Sequence, residues 1–436
     1  MSETADGNAR PTDDGNDGND GNDGIQPSMD AFAGAIIRAL VAFEDSREWE
    51  YDAENHLIQM VPTEREEEDQ ELQRNGLSLH NIYAEHLKLD ADDQRQHIAN
   101  IATTLMQQHA DLPTDFEDIR GNLRPKIWAR STFANMSLQQ KIRGEKDLTM
   151  PYHLIGEHLV ATVVYDTETS MQSLNQEQFD TWGVTFYQAM EEATDNLRET
   201  TEAWAALGEA VYIAQTGDSY DSSRLLLIGN TPPVDQPKDY AVVVSSRDAL
   251  FIGDLGDEST VDALHRLTVM DSQERVRPLS PIPLRYVDGE WTDWTPPNVE
   301  SELPSFSELR LHFLMEIYDS QKQILDDEDD LQLFPEFIAS FTLYKTEQED
   351  IVSYSVWSQS IETLLPETDQ IALANLEGDT LLVPWKIVQE EVGELMQRVE
   401  GLYPPRYRVT EFPNAQQRKR LAIFDEYPDA ASGNDG

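Results

Sequence analysis

The sequence predicts an α+β fold in which mixed or antiparallel sheets pack against helices, in two to three domains. Strand-like apolar segments cluster along the chain, and helical stripes precede and follow each cluster instead of alternating with single strands. With 436 residues and 39% hydrophobic side chains, the chain is long enough to bury two or three cores of ordinary size.

Low-complexity ends and proline-rich linkers predict the domain boundaries. An acidic Asp-Gly-Asn repeat lies within residues 1–28, cannot bury apolar surface and predicts a disordered tail. Proline-rich stretches at 231–237 and 295–304 predict linkers. We therefore expect an N-terminal α+β domain over 29–230, a small α/β module over 238–297, a C-terminal α+β domain over 304–424 and a flexible tail over 425–436.

The first predicted domain begins with helices and continues with strands. Ser28 is a typical N-cap and precedes a helical stripe that contains Phe32, Ile36, Leu40 and Phe43. Apolar spacing then predicts a strand near 56–61, helices over 79–87 and from Asp90, strands at 127–130 and 152–155, a central strand at 158–165, a helix over 186–204 and a strand at 210–214.

The other two predicted domains repeat this mixture of strands and helices. Ser305 and Glu308 have the spacing of a capping box, and Pro384 suits the start of a helix. The predicted elements are strands at 240–245, 249–252 and 282–287, a helix over 258–274, a helix over 305–324, strands at 337–344, 351–357, 370–376 and 380–383, and a helix over 384–399.

The charge of the chain disfavours several classes of partner. Its 83 Asp and Glu against 32 Lys and Arg give a net charge of −51, which repels phosphate backbones and anionic lipids. We therefore expect no nucleic acid and no membrane as partners. No apolar run reaches the roughly 18 residues of a membrane span, and the acidic start lacks the basic region of a signal peptide, so we expect a cytoplasmic protein.

The same charge suggests a salt-rich surrounding. Self-repulsion destabilises a compact acidic chain unless counterions screen it. Few Lys, many acids and no Cys are typical of a halotolerant protein, whereas the alternative is that the acids serve only solubility.

A basic island interrupts this acidic chain between Arg120 and Lys146. It contains Arg120, Arg124, Lys126, Arg130, Lys141, Arg143 and Lys146, against the single acid Glu145. In the structural interpretation, which we favour, these cations pair with acids elsewhere in the fold. In the functional interpretation, Arg120, Arg124 and Arg130 bind an anionic small molecule or an acidic protein segment, because the guanidinium fork matches carboxylate and phosphate. A smaller basic group from Arg406 to Arg420 is predicted to be a solvated edge.

A second polar group follows the predicted strand at 210–214. In the structural interpretation, Asp218 and Asp221 cap and charge the start of a helix. In the functional interpretation, Asp218, Tyr220, Asp221 and Arg224 form a ligand site at the end of a strand.

Catalytic patterns are weak throughout the sequence. Ser219 lacks the second glycine of a nucleophile elbow, and neither a P-loop nor a GxGxxG loop occurs. The absence of Cys excludes thiol catalysis and Cys-based metal sites. His153 and His158 are five residues apart, which is not the spacing of an HExxH pair. We therefore predict no catalytic residues, no metal and no cofactor.

Several of these segments, taken in order, resemble a known family. Arg130-Ser131 after Pro125, the strand from His158 to Asp166, the Asp218–Leu227 segment and the strand around Val242 resemble the YtpQ-like family over about residues 77–290. The resemblance implies a cytosolic bacterial α+β protein of unknown function and assigns no catalytic residues.

The sequence therefore predicts a protein of unknown function that acts by binding an anionic ligand or acidic partner. The alternative is a hydrolase or metal-assisted enzyme that uses Asp218, Asp221 and His158.

A salt titration tests the interpretation of the charge. Because counterions screen repulsion among the acids, we expect the melting temperature of the folded chain to rise as NaCl is raised from low values. A melting temperature that stays constant across the titration would contradict adaptation to salt.

Overall fold

The computed structural model describes two compact units, Met1–Met106 and Gln107–Gly436. The described residues are 28–42, 48–53, 55–61, 77–108, 112–142, 144, 150–167, 171–201, 204–208, 210–214, 216–228, 239–274, 278–297, 303–326 and 333–426. The predicted tail at 1–28 lies outside them except for Ser28. Within these ranges, no helix combines the length and the apolar character of a membrane span.

The described part of the first unit is a three-stranded antiparallel sheet with helices. Its elements are α1 (Met29–Val41), β1 (Glu48–Asp52), β2 (Leu57–Val61), β3 (Leu77–Ser78), α2 (His80–His86) and α3 (Ala91–Gln108), which ends just beyond the boundary of the unit. Ser28 caps α1 as predicted, since its side chain accepts a hydrogen bond from the Ala31 amide at 3.2 Å. Phe32 and Ile36 of α1 pack with Ile58 of β2, so the helix covers the hairpin. Phe43 lies outside the described residues.

The second unit contains the remaining described elements. In chain order they are α4 (Phe116–Ile119), β4 (Leu123–Ala129), α5 (Arg130–Ile142), β5 (His153–Ile155), β6 (Leu159–Asp166), β7 (Met171–Ser173), α6 (Gln176–Trp182), α7 (Phe186–Glu199), β8 (Trp204–Leu207), β9 (Val211–Ala214), α8 (Leu225–Ile228), β10 (Tyr240–Ser246), β11 (Ala249–Asp254), α9 (Thr260–Glu274), β12 (Leu284–Val287), β13 (Glu290–Asp293), α10 (Phe306–Asp326), β14 (Phe337–Ile338), β15 (Thr342–Lys345), β16 (Ile351–Ser358), β17 (Thr363–Pro366), β18 (Gln370–Ala374), β19 (Thr380–Pro384), α11 (Trp385–Val392), β20 (Gln397–Arg398), β21 (Arg406–Val409) and α12 (Ala415–Leu421).

These strands form open sheets, which confirms the predicted α+β fold with mixed and antiparallel pairing. The first sheet has the order β4-β6-β5 with β7 added to β6, and the second has the order β13-β12-β10-β11-β9-β8. Two further sheets have the orders β14-β17-β21-β20 and β15-β16-β18-β19, and each contains one parallel pair. The segment predicted as a central strand is β6, which pairs with β4, β5 and β7.

The first two sheets share one apolar core. Leu159 and Ala161 of β6 pack with Val242 of β10 and Ile252 of β11. The turn between β5 and β6 also contacts β13, because the Gly156 amide donates to the Trp291 carbonyl at 3.2 Å. This contact brings the start of β6 to the end of β13, where the candidate site lies.

Helix α10 connects these sheets to the C-terminal strands. Asn135 of α5 donates to the Ser320 hydroxyl of α10 at 2.9 Å, and Leu138 packs with Leu325. The predicted capping box is confirmed at the start of α10, where the Glu308 amide donates to Ser305 Oγ at 3.2 Å. The domain boundaries at 230, 238, 297 and 304 stay predictions.

Two helices are shorter than predicted, for local reasons. Helix α7 ends at Glu199 because Thr201 Oγ1 donates to the Leu197 carbonyl at 2.7 Å, and Trp204 begins a strand instead. Helix α11 ends at Val392, where Gly393 forms its C-cap, so Val399 lies outside the helix.

Arg406 corrects the prediction of a solvated basic edge. Its side chain is fully buried and donates to Gln321 Oε1 at 2.6 Å and to the carbonyls of Ala339, Leu364 and Tyr318. Burial lowers the pKa of this guanidinium to about 10. The sequence gives no warning of this burial because the residue lies in a charged run.

Gly253 of β11 tests the packing of α9 on the second sheet. A Cβ atom at this position would lie 2.7 Å from Leu264 Cδ1 of α9, so we expect Gly253→Ala to lower the free energy of unfolding by about 1–3 kcal/mol. Gly393→Ala is the matched control, since no heavy atom lies within 4 Å of its Cβ position. Urea denaturation measures both variants, and equal stabilities would contradict the described packing.

Candidate functional site

The described residues of the basic island do not form one continuous patch. Arg120 pairs with Glu117 at 3.3 Å and with Glu192 at 3.4 Å, and its side chain is half exposed. Arg124 and Arg130 lie six residues apart along β4 and its end, which corresponds to about 20 Å of extended chain. Arg143 and Lys146 lie outside the described residues.

Arg124 and its neighbour Lys126 bond to backbone carbonyls. The Arg124 guanidinium donates to the carbonyls of Gly121 at 3.0 Å and Leu123 at 2.8 Å. Lys126 is fully buried, and its Nζ donates to the Ser219 carbonyl at 2.7 Å and lies 4.6 Å from the centre of the Tyr220 ring. These two cations therefore hold backbone and aromatic groups of the fold.

The second polar group converges around Arg224. This arginine is 1% exposed, and it pairs with Asp218 at 2.7 Å and with Asp221 at 3.2 Å. Its Nε also donates to Thr201 Oγ1 at 3.1 Å. Burial is the largest single influence on Asp218 and acts to raise its pKa. The hydrogen bond and charge of Arg224, together with backbone hydrogen bonds, outweigh burial, so the pKa of Asp218 is lowered.

Asp218 and Asp221, predicted to cap and charge the start of a helix, instead accept hydrogen bonds within the turn that precedes Arg224. Asp218 accepts a hydrogen bond from the Tyr220 amide at 3.0 Å, and Asp221 accepts one from the Thr216 amide at 2.8 Å. The helical turn begins only at Ser222, so Asp218 stabilises a tight turn in which Ser219 has a φ of 65°. Burial raises the pKa of the Tyr220 hydroxyl further above its usual range, which keeps it neutral.

His158 lies apart from Asp218 and Asp221. Thr162 of β6 is paired with Lys126 of β4, and the Lys126 side chain bonds to the carbonyl of Ser219, in the turn that contains Asp218. His158 precedes β6 and is four residues from Thr162. Four residues of strand correspond to about 13 Å. The three residues of the predicted enzyme alternative therefore belong to two different clusters.

A cavity of about 410 Å³ lies between α5 and the segment around Leu402. Residues of α5, Arg398 of β20 and two residues that precede β5 line it together with that segment. The lining consists of Arg130, Phe133, Ala134, Met136, Ser137, Gln140, Met150, Tyr152, Arg398, Val399, Glu400, Gly401, Leu402 and Tyr403. It thus combines two arginines and Glu400 with apolar, aromatic and uncharged polar side chains.

Arg130 is held in this cavity by its neighbours. Its guanidinium carbon lies 4.1 Å from the centre of the Tyr403 ring, and its Nη1 donates to the Glu157 carbonyl at 3.1 Å. Within the described ranges, no carboxylate forms an ion pair with Arg130 or with Arg398. These two cations differ in this respect from Arg120 and Arg224.

His158 lies directly behind Tyr403. Its Nδ1 is 2.5 Å from the Tyr403 hydroxyl, and its Nε2 is 3.2 Å from Asp293 Oδ2. Asp293 Oδ1 accepts a hydrogen bond from the Glu157 amide at 3.0 Å. The imidazole and the ring of Phe313 are nearly perpendicular, with their centroids 5.2 Å apart.

Burial changes the protonation of this pair. It lowers the pKa of His158 to about 3, and the nearby Arg310 and Arg130 act in the same direction. It raises the pKa of Asp293 to about 6, although the Glu157 amide opposes this shift. At neutral pH the imidazole is therefore neutral and faces a carboxylate.

Sequence reasoning missed Asp293, Tyr403 and Arg398. Tyr403 is 245 residues from its partner His158, so no local spacing could have joined them. The turn at Gly156 was the available signal, because a glycine with a φ of 56° allows the close approach of Asp293.

A second cavity differs in character from the first. It has a volume of about 340 Å³, and its described lining contains no charged side chain. Recognition of an anion by arginine is therefore available in the first cavity and not in the second.

Two arginines of contrasting burial test the structural role of the Arg224 cluster. We expect Arg224→Met to lower the free energy of unfolding by about 3–5 kcal/mol, because it leaves two carboxylates without their buried partner. Arg120→Gln is the matched control and should cost less than about 1 kcal/mol, since its ion pairs are exposed. Urea denaturation at neutral pH measures both, and equal losses would show that the Arg224 pairs contribute little.

Comparison with known proteins gives distant relatives. A UPF0354 protein of Halalkalibacterium halodurans is 28% identical over 145 residues, which is 31% of this chain and 55% of that protein. A UPF0354 protein of Bacillus cytotoxicus is 25% identical over 146 residues, which is 32% of this chain and 54% of that protein. No family model matches the chain. No solved structure matches it either.

The chain therefore spans about half the length of the curated relatives it matches. The predicted resemblance to an uncharacterised bacterial family is confirmed, and these relatives assign no function. Over about a third of its length, this chain is similar to bacterial UPF0354 proteins.

Proposed function

We propose that this protein binds a small anionic molecule with an apolar or aromatic body in the cavity lined by Arg130 and Arg398, and that it does so without chemistry of its own. The observation that carries the proposal is the placement of these two arginines. Both line the same cavity, and within the described ranges neither forms an ion pair with a carboxylate.

The overall charge makes such a pair of arginines significant. An anion that approaches a chain of net charge −51 is repelled over most of the surface, so binding requires a local concentration of positive charge. Arginine donates hydrogen bonds in a planar fork that fits carboxylate or phosphate. Arg130 is also oriented in advance by Tyr403 and the Glu157 carbonyl, which lowers the entropy lost on binding.

The rest of the lining favours a ligand with an apolar part. Met136 and Tyr152 are each 43% exposed, although both carry large apolar surfaces. Covering such surface contributes about 25 cal/mol per Å². The volume of about 410 Å³ lies within the range of small-molecule sites, roughly 300–1,000 Å³.

The remaining predicted site residues are better explained by structural roles than by ligand binding or catalysis. Arg120, Arg124 and the Asp218–Arg224 cluster bond within the fold, which supports the structural interpretation for them. A hydrolase that uses His158, Asp218 and Asp221 has no converging site, because the two acids contact Arg224. A cytoplasmic location and adaptation to salt belong to this proposal and rest on the composition of the chain.

An anionic fluorescent dye tests the proposed site directly. The probe is 8-anilinonaphthalene-1-sulfonate, which carries one sulfonate on an aromatic body, and its fluorescence is titrated against the full chain. We expect saturable binding at one site. Arg130→Gln and Arg398→Gln should each weaken binding about tenfold, the loss of one charge-assisted hydrogen bond.

Matched controls separate this site from general effects of charge. Arg120→Gln removes the same charge from the basic island and should leave the dye affinity unchanged, because Arg120 pairs with Glu117 and Glu192. Melting temperatures check that each variant is folded. Equal dye affinities in all three variants would refute the proposal. Displacement of the dye by an acidic peptide, but not by small aromatic carboxylates, would instead favour an acidic protein segment as the natural partner.

A further inference from the structure

We propose that Glu157, His158 and Asp293 form a binding site for one divalent transition metal ion, with Zn²⁺ as the best match. The proposal is independent of the anionic ligand, because it involves other side chains. These residues offer one imidazole nitrogen and two carboxylates, and their ligand atoms all lie within 4.8 Å of one another.

The distance between two of the three donor atoms fits a tetrahedral ion. His158 Nε2 and Asp293 Oδ2 lie 3.2 Å apart. Two ligands bound to zinc at about 2.0–2.1 Å with a tetrahedral angle lie roughly 3.3 Å apart. The pair therefore already has the separation that a shared ion requires.

His158 Nε2 provides a second and independent observation. The side chain is 5% exposed, and Nε2 has no hydrogen-bond partner although Asp293 Oδ2 is close. A buried polar atom without a partner is unfavourable. If His158 Nδ1 donates to the Tyr403 hydroxyl, a lone pair on Nε2 faces a carboxylate oxygen. A cation between these two atoms turns that repulsion into attraction.

The surrounding groups have the arrangement of an outer shell. Metal-binding histidines commonly direct their second nitrogen to a hydrogen-bonding partner, and the Tyr403 hydroxyl takes that place at 2.5 Å. The Glu157 amide holds Asp293 Oδ1 at 3.0 Å, which leaves Oδ2 directed to His158. A Cβ on Gly156 would collide with Asp293 Oδ1 and would lie 2.7 Å from Leu284 Cδ2, so this approach requires glycine.

Exposure and donor type indicate which ion fits. Glu157 is exposed, so an ion can enter from its side and retain a coordination position for water or a ligand. One imidazole with two carboxylates suits Zn²⁺, whereas Mg²⁺ and Ca²⁺ prefer six or more oxygen ligands. Arg130 and Arg310 lie near and oppose a cation, and the two carboxylates offset their charge.

Zinc titration by calorimetry tests the site on the full chain. The solution contains high NaCl and excess Mg²⁺, so that the acidic surface does not take up zinc unspecifically. We expect one saturable Zn²⁺ site per chain. His158→Gln should weaken it at least about tenfold, the lower limit for changes around metal ligands. His153→Gln is the matched control, since His153 is an exposed histidine of β5, and should bind as the unchanged chain does.

Further variants keep the test decisive if His158→Gln does not fold. Asp293→Asn keeps an oxygen that can accept from the Glu157 amide, and Glu157→Gln changes an exposed side chain. Both should weaken zinc binding at least about tenfold in a folded chain. Co²⁺ provides a second readout, because a tetrahedral site gives strong visible absorption that His158→Gln should abolish. No saturable site in the unchanged chain, or the same affinity in Asp293→Asn and Glu157→Gln, would overturn the proposal.

Discussion

The rest of this structure depends on one constraint: the few positively charged side chains that are buried must be hydrogen-bonded to specific carbonyl or carboxylate groups. With 32 basic residues against 83 acidic ones, every cation could find an exposed carboxylate, yet Lys126, Arg224 and Arg406 are buried. Lys126 and Arg406 bond mainly to carbonyl oxygens, and Arg224 bonds to two aspartates. Because moving a charge out of water is costly, each of these contacts must be well satisfied, and each fixes a turn or a strand end in place.

This distribution of cations gives the cavity its character. Arg130 and Arg398 lie on its wall without an ion pair to a described carboxylate, and this is why we propose that they bind an anionic ligand. Tyr403 connects the cavity to the candidate metal site, because Arg130 stacks on its ring and His158 contacts its hydroxyl. A ligand that moves Tyr403 would therefore also disturb the groups around His158. The proposed anion site and the proposed metal site are distinct sets of residues, and Tyr403 contacts both of them.

Local patterns in the sequence predicted much of the fold, whereas long-range contacts decided the site. The apolar segment at 158–165, the cap at Ser28 and the Ser305–Glu308 pair each act within a few residues, so spacing alone revealed them. The ends of helices were less predictable. Helix α7, for example, ends where the Thr201 hydroxyl donates a hydrogen bond to the Leu197 carbonyl. The two proposed sites bring Arg130, His158, Asp293 and Tyr403 together from four separate segments. Arg130 was identified by charge, but no sequence pattern states which residues meet it across the fold.

Chemical modification of arginine tests most directly whether Arg130 and Arg398 are accessible while Arg224 and Arg406 are buried. Phenylglyoxal labelling of the folded chain, read by mass spectrometry, reports the accessibility of each guanidinium. The account predicts rapid labelling of Arg398 and Arg130, protection of both by the anionic dye, and resistance of Arg224 and Arg406 until the chain unfolds. Labelling of Arg224 and Arg406 as fast as that of Arg398, or dye protection that spares Arg130 and Arg398, would contradict it.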